Sequence, residues 1–463
     1  MKTAGFKTRW QMGPCDGRGL SGIGAALWIV VTCGGCQSPP AQSSLARDKA
    51  PLSPLVARPL PSDNGGAEAM IRFLTARVAP DPDDVASQTR LAAGLLQRVS
   101  ETNDMAYLLG AERAARASLR AVPSQVNFGG LSALAQVEFA SHQFISARDH
   151  ARQLTQLNPN KSEFHALLGD ALLELGRYDD ASRSYTRMWS LNREGIGTHT
   201  RLARTALLHG HADETQQRLF KALALALNLS SPPRETVAWL RWQLGETAFS
   251  LGDYPTAEHY YRDALITFPE DSRALASLGR VRAARGDVAD AIKQYERATK
   301  IIPDPNFVAA LGDLYQLSGR TKEARTQYVL VEQIGHLSKA NGALYNRQLA
   351  LFYADHDLKP QQAYADARRE YAARQDIYGA DAVAWTALKA GRLDVAQATI
   401  KQALRLGTRD ARLWYHAGLI ARAAGRSSQA RDFLKRALSL NPQFDALQAP
   451  IAHRALAATS KTH

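Results

Sequence analysis

Apolar positions recur three and four residues apart along most of this chain, the spacing that lines one face of an α-helix. The patterned stretches follow one another at a fixed distance. LGDALLELGRYDDA begins at Leu168, LGETAFSLGDYPTA at Leu244, LGRVRAARGDVADA at Leu278 and LGDLYQLSGRTKEA at Leu311. A glycine precedes each second helix, at Gly176, Gly210, Gly252, Gly286, Gly319, Gly391 and Gly425, with three of the six intervals at 34 residues. That period is the length of one helix, turn, helix unit. Each such unit buries its apolar face only against its neighbours, so the pattern predicts a solenoid with a long concave surface rather than a pocket.

Small residues stand five positions after the turn, at Ala147, Ala181, Ala257, Ala291, Ala324, Ala396 and Ala430. A larger residue follows four later, at Tyr185, Tyr261, Tyr295, Tyr328, Ile400 and Leu434. Pro159, Pro269, Pro303 and Pro442 are placed to close second helices, because proline cannot continue a helix and restrains the residue before it. This pattern, with its Leu-Gly pair in the first helix and the Gly252-Asp253-Tyr254 turn, resembles the tetratricopeptide repeat over residues 128–445. The resemblance implies an all-α fold, a right-handed α-solenoid of about nine such units. An insertion at 228–236 follows the third unit, and the unit over 342–375 is degenerate, with Asp355, His356, Asp357 and Pro360 where a glycine turn is expected. Residues 67–127 read as divergent helical repeats, and 446–463 as a capping helix and tail.

The first 35 residues read differently. Lys2, Lys7, Arg9 and Arg18 precede an apolar run from Leu20 to Cys33, which has the length of a signal-peptide core rather than of a membrane span. The following Gly34, Gly35 and Cys36 resemble a bacterial lipoprotein signal, in which Cys36 is acylated and becomes the first mature residue. Cys33 departs from that pattern, which usually has an aliphatic residue there. An uncleaved anchor, or a start at Met12, are the alternatives. Gln37 rather than Asp after the cysteine implies an outer-membrane lipoprotein facing the periplasm. Residues 36–66 are proline-rich and lack an apolar period, so they read as a disordered tether reaching at most roughly 90 Å.

Charge and candidate chemistry narrow the function. The 57 Lys and Arg against 44 Asp and Glu give a net charge of +13, but the basic residues are interleaved with acids along the helices. That is a solvated helical surface and not a nucleic-acid platform. All three cysteines, Cys15, Cys33 and Cys36, lie ahead of the repeats, so the repeats carry no disulfide or cysteine-based metal site. Asp355, His356 and Asp357 are read as a turn, with Asp357 as N-cap of the helix containing Pro360; a hydrolase using Asp355 and His356 is the enzymatic alternative. No cofactor, metal or nucleic acid is expected.

The resemblance places the concave face on the first helices, where Trp239, Trp242, Phe249, Trp385, Tyr415 and Arg422 are candidate partner-binding residues. For Trp239 and Trp242 the competing reading is that they cover the adjacent insertion. Asp170, Arg204, Glu246, Arg280 and Asp313 alternate in sign at one position of five successive units and are read as a structural charge ladder. The sequence thus points to a non-enzymatic, lipid-anchored scaffold or assembly factor that binds a peptide or partner protein. A cytoplasmic regulatory or adaptor protein is the alternative if the N-terminus is not a signal.

Overall fold

The computed structural model describes residues 57–60, 64–102, 105–340 and 347–459. Cys36 and the segment read as a signal lie outside them. The described residues form 22 helices and no strand. Three helices, α1 (Asn64–Val78), α2 (Val85–Thr102) and α3 (Met105–Ala121), precede nine pairs. These are α4 (Phe128–Ala140) with α5 (Phe144–Leu157), α6 (Ser162–Glu174) with α7 (Tyr178–Leu191), and α8 (Ile196–Leu208) with α9 (Ala212–Leu227). They continue as α10 (Arg234–Ser250) with α11 (Tyr254–Thr267), α12 (Ser272–Ala284) with α13 (Val288–Ile301), and α14 (Pro305–Leu317) with α15 (Thr321–Ala340). The last are α16 (Arg347–Asp355) with α17 (Pro360–Ala373), α18 (Ile377–Lys389) with α19 (Leu393–Ala403), and α20 (Ala411–Ala423) with α21 (Ser427–Leu440); α22 (Gln448–Thr459) follows.

One backbone conformation makes every pair. The turn residue has positive φ, between 72° and 85° at the seven turn glycines, and the next amide bonds back to a carbonyl five residues earlier, as in Arg177 N to Leu172 O at 2.9 Å. Two non-glycine residues occupy the same place, His142 (φ 59°) and Asp357 (φ 55°). Asp357 is therefore the turn residue of its unit and not the N-cap expected from the sequence. The N-cap of α17 is Lys359, itself left-handed at φ 41° and making no side-chain cap bond. That extra turn residue delays the helix by one position, so the small residue of this unit is Ala363.

Packing between the two helices of a unit depends on a second glycine. The alanines five positions after the turns are 0–1% exposed, and in four units a tyrosine ring four residues later lies on a glycine of the first helix. A Cβ on Gly279 would sit 2.8 Å from the Tyr295 ring, and one on Gly312 2.6 Å from that of Tyr328; Gly169 and Gly245 face Tyr185 and Tyr261 more closely still. The buried hydroxyls then need acceptors. Tyr185 donates to Asp170 at 2.8 Å, Tyr261 to Glu246 at 2.6 Å and Tyr328 to Asp313 at 2.9 Å. The acids after Gly169, Gly245 and Gly312 are thus tied to their own units.

The concave surface is not left open along its length. The turns of the α6/α7, α8/α9 and α10/α11 units dock on the loops that end α17, α19 and α21, about 200 residues away in sequence. At Gly176 a Cβ would collide with the backbone of Gln375, at Gly210 it would lie 3.0 Å from Gly407 O, and at Gly252 3.3 Å from Leu440 O. Among the described residues no such neighbour lies at Gly286, Gly319, Gly391 or Gly425. The expectation of a long groove without a pocket is corrected here: the superhelix curls tightly enough for its later units to seat on its earlier ones.

Two substitutions test this account. Gly245→Ala is expected to cost about 1–3 kcal/mol through overpacking against Tyr261, read as a lower urea midpoint. Asp357→Gly should stabilise by about 0.5–1 kcal/mol, because relief of the left-handed penalty exceeds the entropy glycine loses on folding.

Candidate functional site

Where the turns and loops meet, side chains that are far apart in sequence form a polar seam. Ile377 N donates to the Tyr178 hydroxyl at 2.9 Å. Thr408 donates to Leu208 O, and Arg405 to Gly176 O at 3.3 Å. The Tyr254 hydroxyl donates to Asn441 Oδ1 at 2.6 Å, while Asn441 Nδ2 donates to Phe249 O at 2.6 Å. Behind this row is a buried ionic belt. Glu174 is paired with both Arg204 and Arg374. Arg374 also reaches Asp376 at 3.0 Å, and Arg347 binds Asp376 at 2.7 Å and Glu370 at 2.8 Å.

Burial opposes ionisation of Glu174, but the charges of Arg374 and Arg204 and the Arg204 hydrogen bond outweigh it and hold the carboxyl down to about 2. His142, beside Arg374 and stacked on Phe144 at 5.4 Å, is lowered to about 4 by burial and then by Arg374. Charge on one group and neutrality on the other are both part of the closed seam.

Next to the seam is a cavity of about 510 Å³. One wall is the first helices of three successive units: Glu246 and Phe249 of α10, Arg280 and Ala283 of α12, and Phe307, Ala310, Leu314 and Leu317 of α14. The opposite wall is Tyr378, the loop 408–412 and the loop 441–446. Its charges are mostly matched within their own wall. Arg280 binds Glu246 at 2.6 Å and lies over the Phe249 ring at 4.0 Å; Arg412 binds Asp445 at 2.6 Å. Asp410 caps α20 through Arg412 N at 2.9 Å, and burial raises its carboxyl. Arg409 is the exception: it is exposed and makes no hydrogen bond or ion pair among the described residues. An apolar stripe on α14 beside a free guanidinium suits an apolar side chain with an acidic neighbour.

The sequence candidates fall into three groups. Phe249 lines this cavity. Trp242 is half-buried next to it, its Nε1 donating to Ser277 at 2.9 Å, while Ser277 donates to Glu246 at 2.8 Å; Trp239 packs at the edge of the α8–α10 core. Trp385 and Tyr415 are no groove residues, which corrects their assignment. Trp385 is 0% exposed, stacked on His416 at 4.2 Å with its Nε1 on Asp355, and Tyr415 is 1% exposed with its hydroxyl on Gln448. Trp385 of α18 and Tyr415 of α20 meet in one buried cluster with α21 and α22 instead of facing the groove. Arg422 is exposed in the last turn of α20.

The five charges do not form one ladder. Glu246 and Arg280 meet, but Asp170 is held by Arg201 at 2.7 Å, Arg204 pairs with Glu174, and Asp313 accepts from Tyr328 and pairs with His356 at 2.8 Å. Each acid is claimed first by its own unit's tyrosine, and the nearest cation is not always at the equivalent position. The Asp355, His356 and Asp357 cluster is likewise dispersed. Asp355 faces Trp385, His356 bonds Asp313, and Asp357 meets Lys389 at the surface. No group of three His, Cys, Asp or Glu among the described residues is placed to hold a metal ion.

The seam itself was not anticipated. Its residues, such as Arg374, Thr408 and Asn441, lie in loops outside the repeat pattern. One signal was available: tyrosine directly opens the second helix at Tyr178 and Tyr254, and both hydroxyls serve the seam.

Comparison with known proteins agrees with the fold. Family models described as tetratricopeptide repeat match residues 243–306 and 383–443 in one case and 138–194 in another, so tetratricopeptide repeats are present in this chain. The TPR repeat-containing protein YpiA of Bacillus subtilis (strain 168) is 22% identical over 297 residues, which are 63% of this chain and 58% of that protein. The protein O-mannosyl-transferase TMTC1 of Homo sapiens is 26% identical over 220 residues, 45% of this chain and 24% of that protein. The chain thus spans 58% and 24% of the lengths of these relatives. Among solved structures, PilW, a type IV pilus biogenesis factor, aligns with a TM-score of 0.38 and 16% identity, covering 44% of this chain and 91% of its own. The Cut9–Hcn1 structure aligns with a TM-score of 0.32 and 12% identity, covering 85% and 90%. No functional property is carried over from them.

The belt gives the seam a pH dependence with a definite sign. Glu174 is held below its ordinary 4.5, so its contribution is present above that value and lost as pH falls from 4.5 towards about 2. His142 is held below 6.5, so its contribution is present above 6.5 and lost between 6.5 and about 4. Acidification should therefore loosen the seam, seen as faster amide exchange around Gly176 and an increased radius of gyration, and His142→Gln should remove the upper part of that response. Arg374→Ala, which leaves buried carboxylates short of a cation, should cost about 3–5 kcal/mol at neutral pH.

Proposed function

We propose that this protein is a non-enzymatic scaffold or assembly factor that binds a segment of a partner protein in the seam cavity. The observation that carries this reading is the cavity wall itself. Phe249 of α10 and Phe307, Leu314 and Leu317 of α14 face one space across α12, and Arg409 at its edge has no internal partner among the described residues. Apolar anchors supply most of the affinity at such a site, and a free cation steers and orients the approach. A carboxylate beside an apolar residue in the partner would meet both. Groups that would perform chemistry there are instead committed to one another, Glu246 to Arg280, Ser277 and Tyr261, and Asp313 to His356 and Tyr328.

The scaffold is proposed to face the periplasm from the outer membrane, held by acyl chains on Cys36. Support for this is the sequence of the first 37 residues. No helix among the described residues is long and apolar enough to cross a membrane. Two or three acyl chains exceed the single chain that gives only marginal membrane binding.

Two measurements test the two halves separately. Cys36→Ala should move the protein from the membrane to the soluble fraction without changing its helical circular dichroism; full retention on membranes would sink the anchor. Arg409→Glu, at an exposed position, should leave the melting temperature unchanged and weaken capture of crosslinked envelope partners by at least about tenfold, equivalent to about 1.4 kcal/mol. An unchanged set of captured partners would move the binding surface away from the cavity.

A further inference from the structure

A second apolar site is already filled, by the chain itself. Residues 57–60 carry no helix, yet Leu60 is buried to 9% exposure in the cluster made by Ala203 of α8, Leu219 and Leu223 of α9, and Leu240 and Leu244 of α10. That cluster belongs to the third and fourth helix pairs. Immediately after it the chain enters α1, which packs on α2 at the start of the array. The segment therefore links the leader to a point several units further along.

The way it is held bears on what it does. Among the described residues no backbone hydrogen bond ties residues 57–60 to the helices. Pro59 has no amide hydrogen to give and fixes its own φ, which holds Arg58 away from helical geometry and presents Leu60 with little conformational freedom left to lose. The attachment is one leucine side chain in an apolar socket, with a proline before it. Such a contact is easily exchanged for another of the same kind. The sequence supplies candidates: Pro51-Leu52 and Pro54-Leu55 repeat the dipeptide Pro59-Leu60 within ten residues. Three copies of one dipeptide in a tether, one of them seated, are the arrangement of a low-affinity site with a built-in competitor.

We propose that the socket formed by α8, α9 and α10 is a recognition site for Pro-Leu dipeptides in non-helical segments, occupied in cis by Pro59-Leu60 and open in trans to a partner segment of the same chemistry. This rests on the scaffold reading and deepens it by naming the class of segment bound, at a place distinct from the seam cavity. The tether holds its own copies at an effective concentration on the order of millimolar, so a trans segment binds well only when the cis copies are removed or when it is itself tethered nearby.

The test uses the full chain and a fluorescein-labelled synthetic peptide of residues 51–63. Binding is read by anisotropy, and the location by hydrogen exchange across α9 and α10. The receptor is the Leu52→Ala, Leu55→Ala, Leu60→Ala triple variant, whose changes lie outside the repeats. It should bind the peptide saturably and about tenfold or more tightly than the unaltered chain, with slowed exchange at Ala222–Leu227 and Val237–Leu244. A peptide with its three leucines replaced by serine should not bind. Absence of binding to the triple variant, equal binding of the serine peptide, or protection appearing elsewhere would each overturn the proposal. These outcomes are separate from failure of the scaffold reading, which is measured by Arg409→Glu on envelope partners with no peptide present.

Discussion

In four of the nine units the distance between the two helices is set by a tyrosine ring lying on a glycine. Tyr185, Tyr261, Tyr295 and Tyr328 occupy space that any side chain at Gly169, Gly245, Gly279 and Gly312 would need. Because the axes approach so closely, the tyrosine hydroxyl arrives deep in the unit and must be met by an acceptor. The residue after the glycine supplies it as Asp170, Glu246 or Asp313. One steric requirement thus fixes the spacing of two helices, an internal hydrogen bond and the position of a buried acid. At Arg280 the acid is replaced by a cation, and it reaches back to Glu246 of the preceding unit, joining two units through one carboxylate.

Repetition of that spacing accumulates into curvature, and the curvature decides what the concave side can be. Here it brings the turns at Gly176, Gly210 and Gly252 against loops of the later units. Glycine at those three turns meets two requirements at once, a left-handed backbone and close approach of another chain segment; the other turn glycines meet only the first. A buried ionic belt at one end of the seam is a poor source of net stability, since desolvation consumes much of the attraction. Its value is geometric. Glu174 is satisfied by Arg204 of the next unit and Arg374 at the end of the seventh helix pair together, so the carboxylate is fully paired only when the seam is closed.

The cavity is a consequence of the same closure. The α14 stripe of Phe307, Leu314 and Leu317 would otherwise be an exposed apolar strip on an open groove. Facing the segments 408–412 and 441–446 it becomes one wall of a partly open space, in which Arg409 is the charged group left without a hydrogen bond or ion pair among the described residues. The leader segment uses a different surface, the α8–α10 core, and so leaves this space to other occupants.

The repeat, the left-handed turns and the small-residue crossings were legible in the sequence because each is a local requirement. A turn with positive φ selects glycine, a close crossing selects alanine, and both recur wherever the unit recurs. The departure at Asp357 was not read correctly: it stands at the glycine position and adopts its conformation where an N-cap was expected, because the one-residue extension through Lys359 depends on how α17 seats. The site was only partly legible. Phe249 and the Glu246–Arg280 contact arise between adjacent units, within reach of a periodic pattern. The burial of Trp385 and Tyr415, the pairing of Glu174 with Arg374 and the docking of turns on distant loops depend on the sum of many small rotations between units. No single unit encodes that sum, so tertiary structure alone decided that a chain of local repeats closes on itself and forms a cavity beside the contact.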